Sequence, residues 1–454
     1  MEKLQIPSPT QEVSVKLQPI KDKERIESLD LLRGFAILGI LLMNIVGFGM
    51  LFTDPATFEQ IYSDKASPNF WTHATMTILF EGKMRALFCM LFGAGIMLFS
   101  IQKVIPGKKG MTLLFHLRML WLALFGFLHA HVLLWVGDIL YFYGLFGMIV
   151  FLLRKMKPKY KALGVPIVAV IGFVLGVVFY QGIRDIRLNY IEVQPLLEAG
   201  EELTEEQEAT VAAWRDVEKN FLPTPDDSAE SIRKMRGSYS EVASEVRPKA
   251  WDIQTKYIFM LLGDNIALML LGMALLQWGF FSGKWTLPQY RKTIWIGYGI
   301  GIPLVILSFW HQSQTASIAE YLKRLEETPI SWYGLIYPVQ RIFIVMAHAA
   351  LVIILMKQGV LDRIKQSVKA VGQMAFTNYI LQTILCSLFF NGYGLGYFHY
   401  LAYYQLFFVV VGVWMVSLII SPIWLRYYRF GPLEWLWRSL SYRKMQPMRR
   451  LASQ

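Results

Sequence analysis

The sequence predicts an all-α fold, a polytopic membrane helix bundle of about ten transmembrane helices with a helical extracytoplasmic insertion. Three observations lead there. Of the 454 residues, 55% are hydrophobic and only 17% charged, where a soluble chain carries about a quarter charged. The apolar residues gather into long runs, and about twenty apolar residues suffice to cross a hydrocarbon core roughly 30 Å thick. Lys and Arg concentrate in alternate gaps between those runs, the pattern that orients a chain in a membrane.

Taken in order, residues 1–30 form a polar tail holding Pro7 and Pro9. It is expected in the cytoplasm and not as a cleavable signal, because the first apolar run starts near Leu31 and outruns a signal h-region. Residues 31–182 hold spans 1 to 5, at 32–52, 80–100, 112–133, 138–154 and 163–182. Asp54, Glu59 and Asp64 lie in the loop after the first, and Glu81, Lys83 and Arg85 open the second. Residues 183–252 turn acidic, with Glu201, Glu202, Glu205, Glu206 and Glu208. Thr204-Glu205-Glu206-Gln207 has the form of a capping box, so a helix begins there. This stretch is read as a soluble extracytoplasmic insertion. Residues 253–426 hold spans 6 to 10, at 256–281, 293–311, 332–357, 370–390 and 401–424, and a basic cytoplasmic tail, 427–454, closes the chain.

Orientation follows from the cations. With the N-terminus inside, the inner segments hold Lys21, Lys23 and Arg25; Lys103, Lys108 and Lys109; Arg154 to Lys161; Lys284, Arg291 and Lys292; Lys357 to Lys369; and Arg426 to Arg450. The short outer loops hold few, among them Lys65, Lys323 and Arg324. Both termini are therefore expected in the cytoplasm. The net charge of +12 is then a signature of topology and of anionic membrane lipids, not of a nucleic-acid partner. Cys89 and Cys386 both fall inside apolar runs, as small apolar filler. The sequence has no zinc spacing, disulfide framework, P-loop, HExxH or GxSxG, so no metal is expected.

A charge at the bilayer centre costs about 2.5–3.5 kcal/mol even on the lenient insertion scale, so each such group needs a partner or a task. Asn44, His73, Glu81, Lys83, Arg85, His129, His131, Asp138, Asp264, Asn265, Gln340 and Arg341 come from six segments but share one depth in the outer half. They are read as one polar pocket. Asp–Arg pairs that only stabilise the bundle are the alternative. Asp30, Arg33, His116, Arg118, Asn378 and Glu434 form a second, cytoplasmic layer. Arg33 there is a snorkelling anchor or a phosphate contact. His348 lies two turns beyond Arg341 on the same helix face, as a packing residue or part of a wet path.

Several strings carry a resemblance. Ser28-Leu29-Asp30-Leu31-Leu32-Arg33-Gly34-Phe35-Ala36 leads into span 1, and Lys83-Met84-Arg85-Ala86-Leu87-Phe88 leads to Leu91-Phe92-Gly93. Gly126-Phe127-Leu128-His129 precedes Gly137-Asp138-Ile139-Leu140, with Tyr143-Gly144 after it. Gly372-Gln373-Met374-Ala375-Phe376-Thr377-Asn378-Tyr379 precedes Gln382, and Gly431-Pro432-Leu433-Glu434-Trp435-Leu436-Trp437-Arg438 closes the bundle. Together they resemble the YeiB-like family of bacterial membrane proteins, which implies the plasma membrane of a bacterium. Met84 stands where that family usually has Phe, and Gln373 where it often has Arg.

The opening string is also similar to that of transmembrane acyltransferases. The acyltransferase-3 group has a His eleven residues after the Arg, and Asn44 stands there instead. The heparan-α-glucosaminide N-acetyltransferase group shares the Asn and takes its His from a string before span 2, where this chain has His73-Ala74-Thr75-Met76. The resemblance thus implies an acyl-CoA-type donor and an envelope or lipid-linked acceptor. Imidazole is the natural base for an acceptor hydroxyl or amine, with His129 the first candidate and His73 the second. Asp138 would orient the imidazole, Asn44 would donate to the oxyanion, and Arg33 and Arg118 would hold donor phosphates. The same intramembrane charges would serve a permease for a small organic or lipid-like solute. A non-catalytic scaffold or sensor working through the acidic insertion is the third reading.

Overall fold

A computed structural model describes residues 26–102, 110–222, 224–314, 317–360 and 362–450. The expected basic groups at Lys21, Lys23 and Arg25 and at Lys103, Lys108 and Lys109 lie outside the described residues. In chain order the helices are α1 (Glu27–Gly49), α2 (Pro55–Tyr62), α3 (Pro68–Leu79), α4 (Lys83–Gln102), α5 (Gly110–His131) and α6 (Leu140–Leu152). Next come α7 (Pro158–Glu198), α8 (Glu205–Phe221), α9 (Pro225–Met235), α10 (Tyr239–Thr255), α11 (Ile258–Gln277) and α12 (Leu287–Ser313). The last six are α13 (Ile318–Glu327), α14 (Tyr333–Lys357), α15 (Asp362–Gln373), α16 (Ala375–Phe390), α17 (Leu406–Tyr427) and α18 (Pro432–Tyr442).

The protein is an all-α membrane bundle. A helix apolar on every side belongs at the centre of such a bundle. α1 is one, and Leu32, Ala36, Ile37, Leu41 and Ile45 are wholly shielded by the packing of α4, α14, α15, α16 and α17 around it. Lipid tails are as apolar as leucine, so close helix contact in a membrane depends on small residues. At the α4–α11 crossing Gly93 faces the backbone of Met269 and Gly272 that of Met90. At the α1–α15 crossing Gly34 faces the Val368 carbonyl and Gly372 the Asp30 carbonyl. These motif glycines are therefore packing devices.

Every expected span falls on a helix. Among the described residues, eight helical stretches are long and apolar enough to cross a membrane. The exceptions are span 4, which is α6 with 13 residues, and the apolar part of span 9, which is α16 with 16. At 1.5 Å per residue these reach only about 20 and 24 Å. α15 extends α16 across a break at Met374.

Span 2 begins earlier than expected. α3 precedes α4, and Gly82, at φ +68°, turns the chain between them. Glu81, Lys83 and Arg85 thus lie at a break inside a longer helical path, not at its outer end. His73 is on α3, not in a loop. Span 5 runs on as α7 to Glu198, 41 residues in all, because residues 183–194 hold neither Gly nor Pro and Pro195 falls only in its last turn. The first part of the acidic insertion is therefore a continuation of that helix. The Thr204 capping box forms, with Thr204 N–H donating to Gln207 Oε1 (2.8 Å) and Gln207 N–H to Thr204 Oγ1 (3.4 Å). α8 packs on α7, and α10 caps the end of α5. There Arg247 Nε donates to the His131 carbonyl (2.9 Å) and the Tyr239 hydroxyl to that of Val132 (2.9 Å).

Candidate functional site

The antiparallel hairpin of α5 and α6 builds the first cluster. Gly126 lets the two helices close up, since a Cβ there would meet the backbone of Tyr141. Asp138 caps the start of α6 by accepting from Tyr141 N–H at 2.8 Å. Its other oxygen lies 2.7 Å from His129 Nδ1. His129 Nε2 is 2.8 Å from Thr383 Oγ1 on α16. A carboxylate only accepts, so Nδ1 carries a proton, while the threonine hydroxyl beside Nε2 also lies 3.4 Å from the Tyr379 carbonyl. The ring of Tyr379 stands edge-on at 5.0 Å, and its hydroxyl donates to the Gly137 carbonyl at 3.1 Å. His129 and Asp138 are both buried.

A cavity of about 260 Å³ leads toward this cluster from the end of the bundle where α1 begins and α18 packs. Asp30, Arg33, Arg118 and Arg438 rim it, Phe92, Ile96 and Leu122 line its middle, and Tyr143 and Tyr379 close its inner end. Arg33 Nη1 donates to Asp30 at 3.1 Å. Arg118 lies over the Trp437 ring at 4.3 Å, held because Trp437 Nε1 donates to the Arg118 carbonyl at 2.8 Å. Glu434 on α18 accepts from Phe376 N–H (2.7 Å), Thr377 N–H (3.0 Å) and the Thr377 hydroxyl (2.5 Å). A carboxylate thus sits at the positive end of α16. Burial pushes the Glu434 carboxyl up, while the Thr377 and Phe376 donors pull it down.

The second cluster surrounds the α3–α4 break. Arg85 Nη2 donates to Asp264 Oδ2 at 2.8 Å and its Nη1 to Asn265 Oδ1 at 3.3 Å. Arg341 grips both oxygens of Asp264, donating to Oδ2 from 3.1 Å. Lys83 Nζ donates to the Thr77 carbonyl at 2.7 Å and stands 4.0 Å from Glu81. Glu81 in turn accepts from the Tyr337 hydroxyl at 2.9 Å.

The twelve residues expected in one pocket do not all come together: eight form two clusters, and Asn44, His73, His131 and Gln340 lie outside both, with His131 bonded to Gln254 (3.0 Å) and Gln340 to Ser308 (3.0 Å). Glu81, Lys83, Arg85, Asp264, Asn265 and Arg341 come together, and His129 with Asp138 forms a separate pair. Among the described residues no direct hydrogen bond or ion pair joins the two, although the Tyr143 hydroxyl reaches the Arg85 carbonyl at 3.5 Å. His73 is apart from both, between the Tyr62 hydroxyl (2.9 Å) and the Tyr403 hydroxyl (3.2 Å), beside Phe52 and Phe309. Asn44 is half-buried. Arg33 and Arg118 do share one cavity. Sequence reasoning missed Thr383, Tyr143, Tyr337 and Arg438 as participants. Tyr337 carried a signal, since it lies four residues before Arg341 on the same helix face. Thr383 carried none, because a threonine in an apolar run is ordinary.

Comparison with known proteins bears on the whole chain. Residues 275–444 match a family described as "Protein of unknown function (DUF418)". The chain is 32% identical to the uncharacterized protein YeiB of Escherichia coli strain K12, over 93% of this chain and 98% of that protein. It is 28% identical to the uncharacterized protein YxaH of Bacillus subtilis strain 168, over 95% and 98%. No solved structure matches it.

Proposed function

The chain belongs to the YeiB-like family, and on that premise we propose that it is a membrane-bound acyltransferase. It would move an acyl group from a cytoplasmic acyl-CoA-type donor to an envelope or lipid-linked acceptor. The observation that carries this reading is the path from three rim arginines through an apolar cavity to Tyr379, whose ring abuts His129. In this reading the rim and both chain ends face the cytoplasm of a bacterium, and the α9–α10 cap faces outward.

The rim guanidiniums bind donor phosphates through charge-assisted hydrogen bonds, and the apolar middle takes the pantetheine arm and a short acyl group. The acceptor hydroxyl or amine displaces Thr383 from His129 Nε2. Its proton passes to Nε2 as its oxygen or nitrogen bonds to the acyl carbon. The C–S bond then breaks, and the leaving thiolate takes the proton back from the imidazolium. Asp138 keeps Nδ1 protonated and Nε2 available as the base. Asn44 is the proposed donor to the tetrahedral oxyanion.

The test uses protein in nanodiscs with labelled acetyl-CoA and longer acyl-CoAs and an envelope extract. Label transfer by wild type that is lost in His129→Ala supports the reading. Transfer that survives both His129→Ala and His73→Ala removes the site assignment, and no binding of any acyl-CoA removes the activity.

The interrupted α3–α4 helix supports a second reading, a permease for a small organic or lipid-like solute. Transporters place broken helices and buried charges at their substrate sites. Solute uptake into proteoliposomes that collapses with the proton gradient, and is indifferent to His129→Ala, would favour it over transfer.

A further inference from the structure

The α3–α4 break holds a charge imbalance that acyl transfer leaves unused. Its carboxylates are Glu81 and Asp264, and its cations are Lys83, Arg85 and Arg341. His348 adds no charge. As the neutral ring its Nε2 donates to the Leu79 carbonyl (2.8 Å) and its Nδ1 accepts from the Tyr298 hydroxyl (2.7 Å). Among the described residues no other carboxylate pairs with these cations, so one positive charge is in excess.

The excess is shielded. The Lys83 side chain is 0% exposed and that of Arg341 3%. Groups of this kind inside a membrane bundle are retained where they meet a partner or a substrate. Donors are in surplus as well. An ammonium carries three N–H groups, and Lys83 donates one to Thr77. Arg341 Nε is buried with no acceptor. The first two amides of α4 are spent, Lys83 and Met84 N–H both donating to the Phe80 carbonyl (3.1 and 3.4 Å), so the surplus donors are those of the side chains.

There is access. The side chains of Glu81, Arg85 and Asp264 are each about one third exposed (36%, 35% and 33%). Yet α4 is enclosed by α1, α6, α11 and α14. The cluster is thus reachable from outside the packed core through Glu81, Arg85 and Asp264, while Lys83 and Arg341 stay buried behind them.

We propose that this cluster binds a monocarboxylate, seated against Lys83, Arg85 and Arg341. One excess charge matches a monoanion, and a doubly charged phosphate would overshoot it. Several unspent N–H donors call for an acceptor with several lone pairs. The inference uses neither His129 nor the cavity at Arg33, so it stands apart from the transfer reading.

The experiment titrates the full chain in nanodiscs with sodium acetate, benzoate and oleate, against chloride and phosphate at fixed ionic strength. Thermal unfolding and calorimetry are the readouts. Saturable stabilisation by a carboxylate over chloride is expected. Lys83→Met removes the excess charge, so it should weaken carboxylate binding by about tenfold to a hundredfold. Glu81→Gln keeps an acceptor for Tyr337, raises the excess to two, and should tighten binding. It decides the matter if Lys83→Met does not fold. A response to acetate or benzoate assigns a water-soluble acid, a response to oleate alone assigns a membrane-borne one, and both uphold the proposal. An equal response to chloride, a response to phosphate alone, or carboxylate binding unmoved by either substitution overturns it.

Discussion

Replacing Asp264 with Asn isolates the energetics of the charged break. Asp264 is gripped through both oxygens by Arg341 and accepts a further bond from Arg85 at 2.8 Å. The substitution keeps the shape and removes the charge. It leaves two guanidiniums facing each other with Glu81 the remaining carboxylate. Breaking a buried pair by removing one partner costs about 3–5 kcal/mol. Arg341 is buried, which argues for that full range. The Asp264 side chain is one third exposed, which pulls the estimate to its lower end, about 3 kcal/mol, or roughly a hundredfold in the folding equilibrium. The assay is reversible unfolding in mixed micelles with increasing denaturing detergent, followed by tryptophan fluorescence. Asp264→Asn with Arg341→Met removes the orphaned cation and should recover at least about 1 kcal/mol of the loss. An Asp264→Asn protein within about 0.5 kcal/mol of wild type would refute the reasoning.

Four further outcomes are expected. Glu434→Ala leaves the Phe376 and Thr377 amides unpaired and should cost about 2–3 kcal/mol, whereas Glu434→Gln should cost about 1 kcal/mol; thermal unfolding of both variants checks this. Thr383→Val removes the hydroxyl at His129 Nε2 and should destabilise by about 1 kcal/mol, with Thr383→Ser restoring wild-type unfolding. Gly93→Val pushes a side chain into the Met269 backbone and should cost about 1–3 kcal/mol, while Gly172→Ala, with open space around it, should stabilise α7 by up to about 1 kcal/mol. His399, in the link between α16 and α17, takes a bond from Leu51 N–H at Nδ1 (3.4 Å), with Nε2 3.2 Å from Asp54. Burial lowers its pKa, and Asp54 only partly opposes this. Its folded pKa lies below the unfolded value of about 6.5, so its contribution is complete above pH 6.5 and lost as pH falls below it. Unfolding temperatures from pH 8 to 5 should drop at the acid end, and less so in His399→Gln.

Local signals carried a good deal of this architecture. Run length located helices at all ten expected spans, and the Thr204 capping box marked the start of α8, because hydrophobicity and capping act over a few neighbouring residues. The charges at 81, 83 and 85 announced an unusual segment, but not that Gly82 breaks a helix there, since α3 reads as loop until α12 and the Tyr403 link pack against it. His129 and Asp138 were legible as a pair because nine residues of hairpin bring them together.

Their surroundings were not legible. Thr383 is 254 residues from His129, Asp264 179 from Arg85, and Arg341 77 from Asp264. Spacing along the chain says nothing of such distances. Depth in the membrane, which the sequence does encode through the apolar runs, placed these groups at a common level. Which carboxylate meets which guanidinium depends on the direction each helix faces. That is decided where helices cross at Gly93 and Gly272 or at Gly34 and Gly372. The sequence by itself determined a membrane bundle, its helices and the costly groups within it. Only the tertiary structure divided those groups into a histidine pair, an arginine-rimmed cavity and a charged break, because close backbone contact between helices sets their rotation and so the partner each side chain finds.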